Sequence, residues 1–123
     1  MPKQTFKKEE RLCSKIFIDE LMKTGKSFSV APFRVVWLKI NSEKKILTQI
    51  LISVPKKKYK RAVDRNHLKR LIREAYRKNK EALLSEKENM RIAFIYTSGT
   101  PLSYPEIESK ILLILQRLSQ GNE

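Results

Sequence analysis

Cysteine, histidine and glycine are nearly absent from this sequence, and each scarcity excludes something. The single cysteine, Cys13, cannot close an intramolecular disulfide or build a zinc cluster by itself. The single histidine, His67, leaves no second imidazole to activate a thiol or complete a metal cage. Three glycines, no internal repeat and no low-complexity linker argue against flexible joints between units. No apolar run approaches the roughly 18–20 residues that a membrane span needs. Met1 to Glu10 is polar and lysine-rich, without the apolar core of a signal peptide. These absences predict a reduced, cytoplasmic protein with no membrane partner.

The chain has 123 residues, of which 41% are hydrophobic, enough for one domain with a modest core. Its charge is far from balanced: 27 Lys and Arg against 13 Asp and Glu give a net charge of +14. Such an excess in a short chain destabilises the compact state by self-repulsion, and a polyanion relieves it. Nucleic acid is the leading polyanion; an acidic membrane surface and purely solubilising charge are the plainer readings.

The chain reads as one domain over 1–123, with residues 1–10 a basic, mobile arm. Ser14 is placed to cap a helix to about Lys23, with Ile18, Leu21 and Met22 on one side and Gly25 as its stop. Phe33 to Ile40 and Ile46 to Val54 are rich in β-branched and aromatic residues, and polar Asn41 to Lys45 suits a hairpin loop between them. Pro55 ends the second strand because it cannot donate to a ladder. A long helix is predicted from about Val63 to Ser85, then a strand from about Met90 to Thr97. Ser103-Tyr104-Pro105-Glu106 has the pattern of a capping box, and Ile107, Ile111, Ile114, Leu115 and Leu118 follow at helical spacing. The order predicts an α+β two-layer sandwich: three helices on one mixed sheet of three to four strands.

The positive charge is concentrated. Between Ser53 and Lys80 the chain carries twelve Lys or Arg against Asp64 and Glu74, which is +10 of the net +14. At ~100° per residue, Arg65, Asn66, Lys69, Arg70, Arg73 and Arg77 fall within an arc of roughly 140°, while Leu68, Leu71, Ile72 and Ala75 occupy an opposing arc. A merely solvated helix face would mix Glu with Lys for i,i+4 pairing. Here Glu74 is the sole acid between Arg65 and Lys80. Arginine forks grip phosphate oxygens bidentately, so this stripe is predicted to bind a phosphate backbone. Lys56, Lys57, Lys58, Lys60 and Arg61 extend it upstream. Tyr59, in their midst, either stacks on a base or is a solvent-exposed or packing tyrosine.

No catalytic constellation accompanies the charge. Cys13 has no activating histidine, and Asp19, Glu20, Asp64 and Glu74 form no metal-ligand pattern; capping for Asp64 and solvation for the others suit them better. The expectation is a binder without catalytic or metal-ligating residues of its own. A sequence-specific DNA binder is disfavoured by the lack of helix-turn-helix or zinc spacing.

The stretch from Arg65-Asn66-His67 through Lys69-Arg70 and Arg73 closely resembles the signature of the protein subunit of bacterial ribonuclease P. Ser53-Val54-Pro55-Lys56-Lys57, Ala62-Val63, Arg11-Leu12 and Gly25-Lys26-Ser27 are similar to further stretches of that family, so the likeness covers nearly the whole chain. It implies a left-handed crossover around the basic helix, against the usual hand. It also implies a role: binding ribonuclease P RNA, with which the protein removes the 5′ leader of precursor tRNA. In that family the RNA and its Mg2+ carry out hydrolysis, and the protein supports RNA folding and metal binding and holds the leader in a cleft.

Arg65, Asn66, Lys69, Arg70 and Arg73 thereby inherit contact with the catalytic RNA. His67 stands where the family more often has a second arginine, and Lys60-Arg61 replaces the family's Gly-Asn. The cleft positions, commonly aromatic in the family, match Ile18, Met22 and Val36 here; Phe33, a nearby aromatic, is included with them. The resemblance implies no protein partner. The alternative role for such a chain is a structural RNA-binding protein of ribosomal type.

Overall fold

The computed structural model describes residues 11–40, 48–80 and 90–119. The arm at 1–10, the loop at 41–45 and positions 81–85, where the sequence predicts the end of the long helix, lie outside the described residues. The elements in chain order are α1 (Lys15–Thr24), β1 (Lys26–Val30), β2 (Phe33–Lys39), β3 (Gln49–Ser53), α2 (Ala62–Asn79), β4 (Met90–Tyr96) and α3 (Tyr104–Ser119). The strands form one mixed sheet in the order β1-β2-β4-β3, with β3 and β4 parallel and the other pairs antiparallel. The α+β architecture of three helices on a mixed sheet is as the sequence predicts. The parallel pair is joined through α2, as such a pair requires a long crossover.

One pairing differs from the expectation. β2 and β3 do not form a hairpin, because β4 lies between them. The reason is burial: six of the seven residues of β4, MRIAFIY, are buried, so this strand takes an inner position where both faces are covered. The antiparallel partner of β2 on its other side is β1, whose only fully buried residue is Phe28.

Alternation assigns the two faces. Phe33, Val35 and Trp37 of β2 and Ile92, Phe94 and Tyr96 of β4 point into the main core, against Leu68, Ile72 and Tyr76 of α2 and the isoleucine stripe of α3. Each fully buried side chain of this size contributes about 1.5–3 kcal/mol, so this layer holds most of the apolar stabilisation. The carboxylate half of the α3 capping box forms: Glu106 Oε1 accepts from the Ser103 backbone N–H at 3.4 Å and from the Ser103 hydroxyl at 2.9 Å.

On the opposite face, α1 is the one helix among the described residues, joined by Leu12 just before it. The chain enters at the free edge of β3, where the Leu12 backbone N–H donates to the Ile50 carbonyl at 2.8 Å. It leaves into β1, where Lys26 pairs with Trp37. Ten residues of helix span about 15 Å, close to the roughly 14 Å between the outer strands of a four-stranded sheet. α1 therefore lies across the strands. Ser14 caps it weakly, accepting from the Phe17 N–H at 3.5 Å, and Gly25 ends it by donating to the Leu21 carbonyl. A Cβ at Gly25 would lie 2.5 Å from that carbonyl oxygen and 2.9 Å from Val36 Cγ1, so glycine permits the close approach of helix end and β2. Leu21 is the only residue α1 fully buries, in a small second core with Leu12, Val36 and Ala93.

Candidate nucleic-acid interface

The amphipathic division of α2 is realised. Leu68, Ile72, Ala75 and Tyr76 are buried, whereas Asn66, His67 and Arg70 are exposed and Arg65, Lys69 and Arg73 half-buried along the outer face. Asp64 does not cap the helix. Arg61 occupies the N-cap position without a side-chain cap bond, and Asp64 sits in the first turn, 3.9 Å from the Arg61 guanidinium. A carboxylate there still complements the positive end of the helix dipole.

The basic loop before α2 is fastened at three points. Arg65 Nη1 donates to the carbonyls of Tyr59 at 2.8 Å and Lys60 at 3.0 Å. The Lys58 ammonium donates to the Thr97 carbonyl, and Tyr59 Oη donates to the Ser98 carbonyl at 3.0 Å. Tyr59 is buried with its ring tilted against Tyr96, and burial raises its phenol pKa. Of the alternatives the sequence leaves for Tyr59, packing is the one observed, and the ring is not solvent-exposed. Lys56, Lys57, Lys60 and Arg61 stay exposed on this anchored loop, beside the start of α2.

Further along α2, Lys69 and Arg73 line a cavity of about 190 Å³ together with Arg11, Leu12, Cys13 and the outer edge of β3. Burial and the neighbouring positive charges of Arg11 and Arg70 lower the pKa of the Arg73 guanidinium. Cations gathered against their own repulsion form a receptor for anions. Arg11 is a member that the helix pattern alone does not reveal. It lies far from α2 in sequence and arrives through its bridge to Ile50. Arg77, in contrast, is held by a bidentate pair with Glu74, at 2.8 and 2.6 Å, which lowers the Glu74 pKa and offsets the arginine's charge locally. The cationic face thus runs from the loop to Arg73, and Arg77 marks its compensated end.

The proposed cleft positions divide. Ile18 and Met22 share one flank of α1, and Val36 lies beneath the helix in the second core. Phe33 is not in this cleft: it is buried in the main core, its ring edge-on to Tyr96 at 5.3 Å. The period of two puts residues 33 and 36 on opposite faces of β2, and Trp37 joins Phe33 on the core side. Phe17 lies on the far flank of α1. The Arg91 guanidinium stacks 3.8 Å from its ring centroid and pairs with Glu20 at 3.1 Å. The flank of α1 formed by Ile18 and Met22 therefore carries no aromatic ring.

A family model described as Ribonuclease P matches residues 6–119. The chain belongs to the ribonuclease P protein family. It is 38% identical over 119 residues to the ribonuclease P protein component of Porphyromonas gingivalis, covering 94% of this chain and 86% of that protein. It is 32% identical to the component of Chlorobium phaeobacteroides over 128 residues, covering 84% of that protein. Among solved structures it is similar to the ribonuclease P protein of Thermotoga maritima, with a TM-score of 0.73 and 26% identity over 88% of this chain and 96% of that one. The Staphylococcus aureus protein is comparable, with a TM-score of 0.72, 26% identity, and 89% and 94% of the two chains covered. Within this ribonuclease P fold, the basic loop, Lys69, Arg73 and Arg11 lie along α2 and the β3 edge, and Ile18 and Met22 lie on the opposite face of the sheet, on one flank of α1.

Proposed function

We propose that this chain is the RNA-binding protein component of ribonuclease P, acting in tRNA processing. It holds the catalytic RNA on the α2 face and the 5′ leader of precursor tRNA along the groove beside α1. The observation that carries this reading is the unbroken cationic surface from Lys56 through Arg65 and Lys69 to Arg73 and Arg11, with one exposed carboxylate, Asp64, at its margin. Each cation that neutralises a phosphate releases a condensed counterion, so this face binds RNA through backbone contacts and a steep salt dependence. Arginine supplies bidentate forks and lysine point charges.

Hydrolysis is assigned to the RNA and its Mg2+. The side chains gathered on this face are cations, the wrong donor chemistry for a divalent ion. The protein's contribution is electrostatic: lowering repulsion between closely packed phosphates allows the RNA to fold and to retain metal at lower magnesium. Cytoplasmic location follows from that role. No described helix is long and apolar enough to cross a membrane.

The groove assignment is tested by binding leader-bearing precursor tRNA and mature tRNA to holoenzymes carrying Met22→Glu or Met22→Phe at fixed salt. Met22 is exposed, so neither change strains the core. A carboxylate facing the leader weakens the leader-bearing RNA alone. A phenyl ring leaves its affinity equal or better, since stacking is worth roughly 1–3 kcal/mol per base. Equal weakening of both RNAs by Met22→Glu, or of neither, rejects the groove as the leader site.

A further inference from the structure

The sheet face under α1 is organised as three cross-strand rows, and α1 covers them unequally. Leu38, Arg91 and Gln49 form the first row; Ser27, Val36, Ala93 and Leu51 the second; Ser29, Arg34, Ile95 and Ser53 the third. Leu21 rests on the second row. At ~100° per residue, Phe17 and Glu20 lie on one side of Leu21, and Ile18 and Met22 on the other. The first side is identified by its contacts, because Phe17 and Glu20 both engage Arg91 in the first row. Since α1 runs across the strands, Ile18 and Met22 face the third row, which the helix leaves open.

In that open row stands Arg34, exposed on β2 between Ser29 on β1 and Ile95 on β4. No described carboxylate is placed to neutralise it. Glu20 is engaged by Arg91 on the other flank, and Asp19 lies on the side of α1 turned away from the sheet. The remaining described acids sit on α2 and α3, across the sheet. The two arginines of this face thus differ in kind. Arg91 is 8% exposed and clamps the helix, whereas Arg34 offers its fork to the groove. An arginine set between a serine hydroxyl and an isoleucine, with no described carboxylate beside it, suits a phosphate diester.

We propose that Arg34 is a phosphate anchor for the single-stranded leader, holding one backbone phosphate in the open row while Ile18 and Met22 contact the sugar-base edge without stacking. This rests on the groove reading above and adds to it a residue and a mode: the strand is held by its backbone, so leader recognition tolerates changes of base. The Arg91 clamp supports this mode by fixing the roll of α1, and hence the width left above Arg34.

The test uses holoenzyme assembled from the full chain and its RNA. Binding of leader-bearing precursor tRNA and of mature tRNA is measured from 50 to 200 mM salt for wild type, Arg34→Gln, Arg34→Lys and, as a charge control on α3, Lys110→Ala. Arg34→Gln is expected to flatten the salt dependence for the leader-bearing RNA by about 0.7 in logarithmic slope, so that this variant loses about 2.6-fold less affinity over that range. Mature tRNA and the Lys110→Ala protein are unchanged, and Arg34→Lys restores the slope. A leader with one phosphate made neutral by methylphosphonate substitution should weaken wild type at one position and add nothing to Arg34→Gln there, the signature of a shared contact. If Arg34→Gln changes both RNAs equally or neither, while Met22→Glu still acts on the leader alone, the anchor is refuted and the groove stands. If Met22→Glu also loses its selectivity, the groove reading falls and the anchor with it.

Discussion

Replacing Arg65 by alanine should produce two separable losses, because its guanidinium belongs to the cationic outer side of α2 and also holds the loop before it. Two N–H groups reach the carbonyls of Tyr59 and Lys60 at 2.8 and 3.0 Å, and these bonds hold the basic loop against the helix start. A typical net value of 0.5–1.5 kcal/mol per hydrogen bond, reduced by the partial exposure of this pair, gives about 1–2 kcal/mol. For a domain of this length that corresponds to a fall in melting temperature of roughly 4–8 °C. The second loss is electrostatic. One phosphate contact fewer reduces the salt slope of RNA binding by about one unit. Arg70 is the comparison, since it is exposed on the same face. Arg70→Ala should lower the slope by the same amount and leave the melting temperature nearly unchanged, as surface changes stay within about 0.5 kcal/mol. Thermal unfolding of the free protein and salt titration of binding to the catalytic RNA separate the two effects. If Arg65→Ala melts like wild type, the loop is not held by this residue. If both variants keep the full salt slope, the α2 face is not the phosphate face.

Lys69→Ala should weaken RNA binding far more than Lys110→Ala, measured at one salt concentration, because both remove one charge and only the first lines the cavity beside α2; equal losses would mean that bulk charge makes the interface. Phe33→Ala should cost about 3–5 kcal/mol in denaturant unfolding, the usual range for emptying a buried aromatic site, and a cost below 1 kcal/mol would contradict its place in the main core. Gly25→Ala should destabilise the protein by about 1–3 kcal/mol, since the added methyl meets backbone that cannot yield cheaply. It should also disturb leader-bearing RNA more than mature tRNA; an unchanged melting curve would show that α1 does not approach β2 this closely.

What the sequence reveals follows from which forces are local. The α2 stripe is readable because a 3.6-residue period and a one-sided charge excess coincide over several turns. The α3 capping box is readable because its hydrogen bonds close within one turn. β1 is not readable as a strand from composition: KSFSV fully buries one side chain, and only its pairing with β2 makes it regular. The false β2–β3 hairpin has the opposite cause. A polar loop between two apolar runs is a sound local signal, but the demand of β4 for cover on both faces outweighs it. Strand parity shows that Phe33 and Val36 oppose each other without showing which of them faces α1. Arg11 and Arg91 act through contacts distant in sequence, with Arg73 and with Glu20, that no spacing rule encodes.

The division of labour between catalytic RNA and protein is tested by cleavage of precursor tRNA by the cognate ribonuclease P RNA, with and without this chain, across a magnesium series. The purified protein, free of RNA, is expected to cleave nothing at any magnesium concentration. Added to the RNA at a few millimolar magnesium or less, it should raise cleavage strongly, and the gain should shrink as magnesium rises and screens the same phosphates. Cleavage by the RNA-free protein, or a catalytic RNA whose rate at low magnesium is indifferent to the protein, would contradict that division.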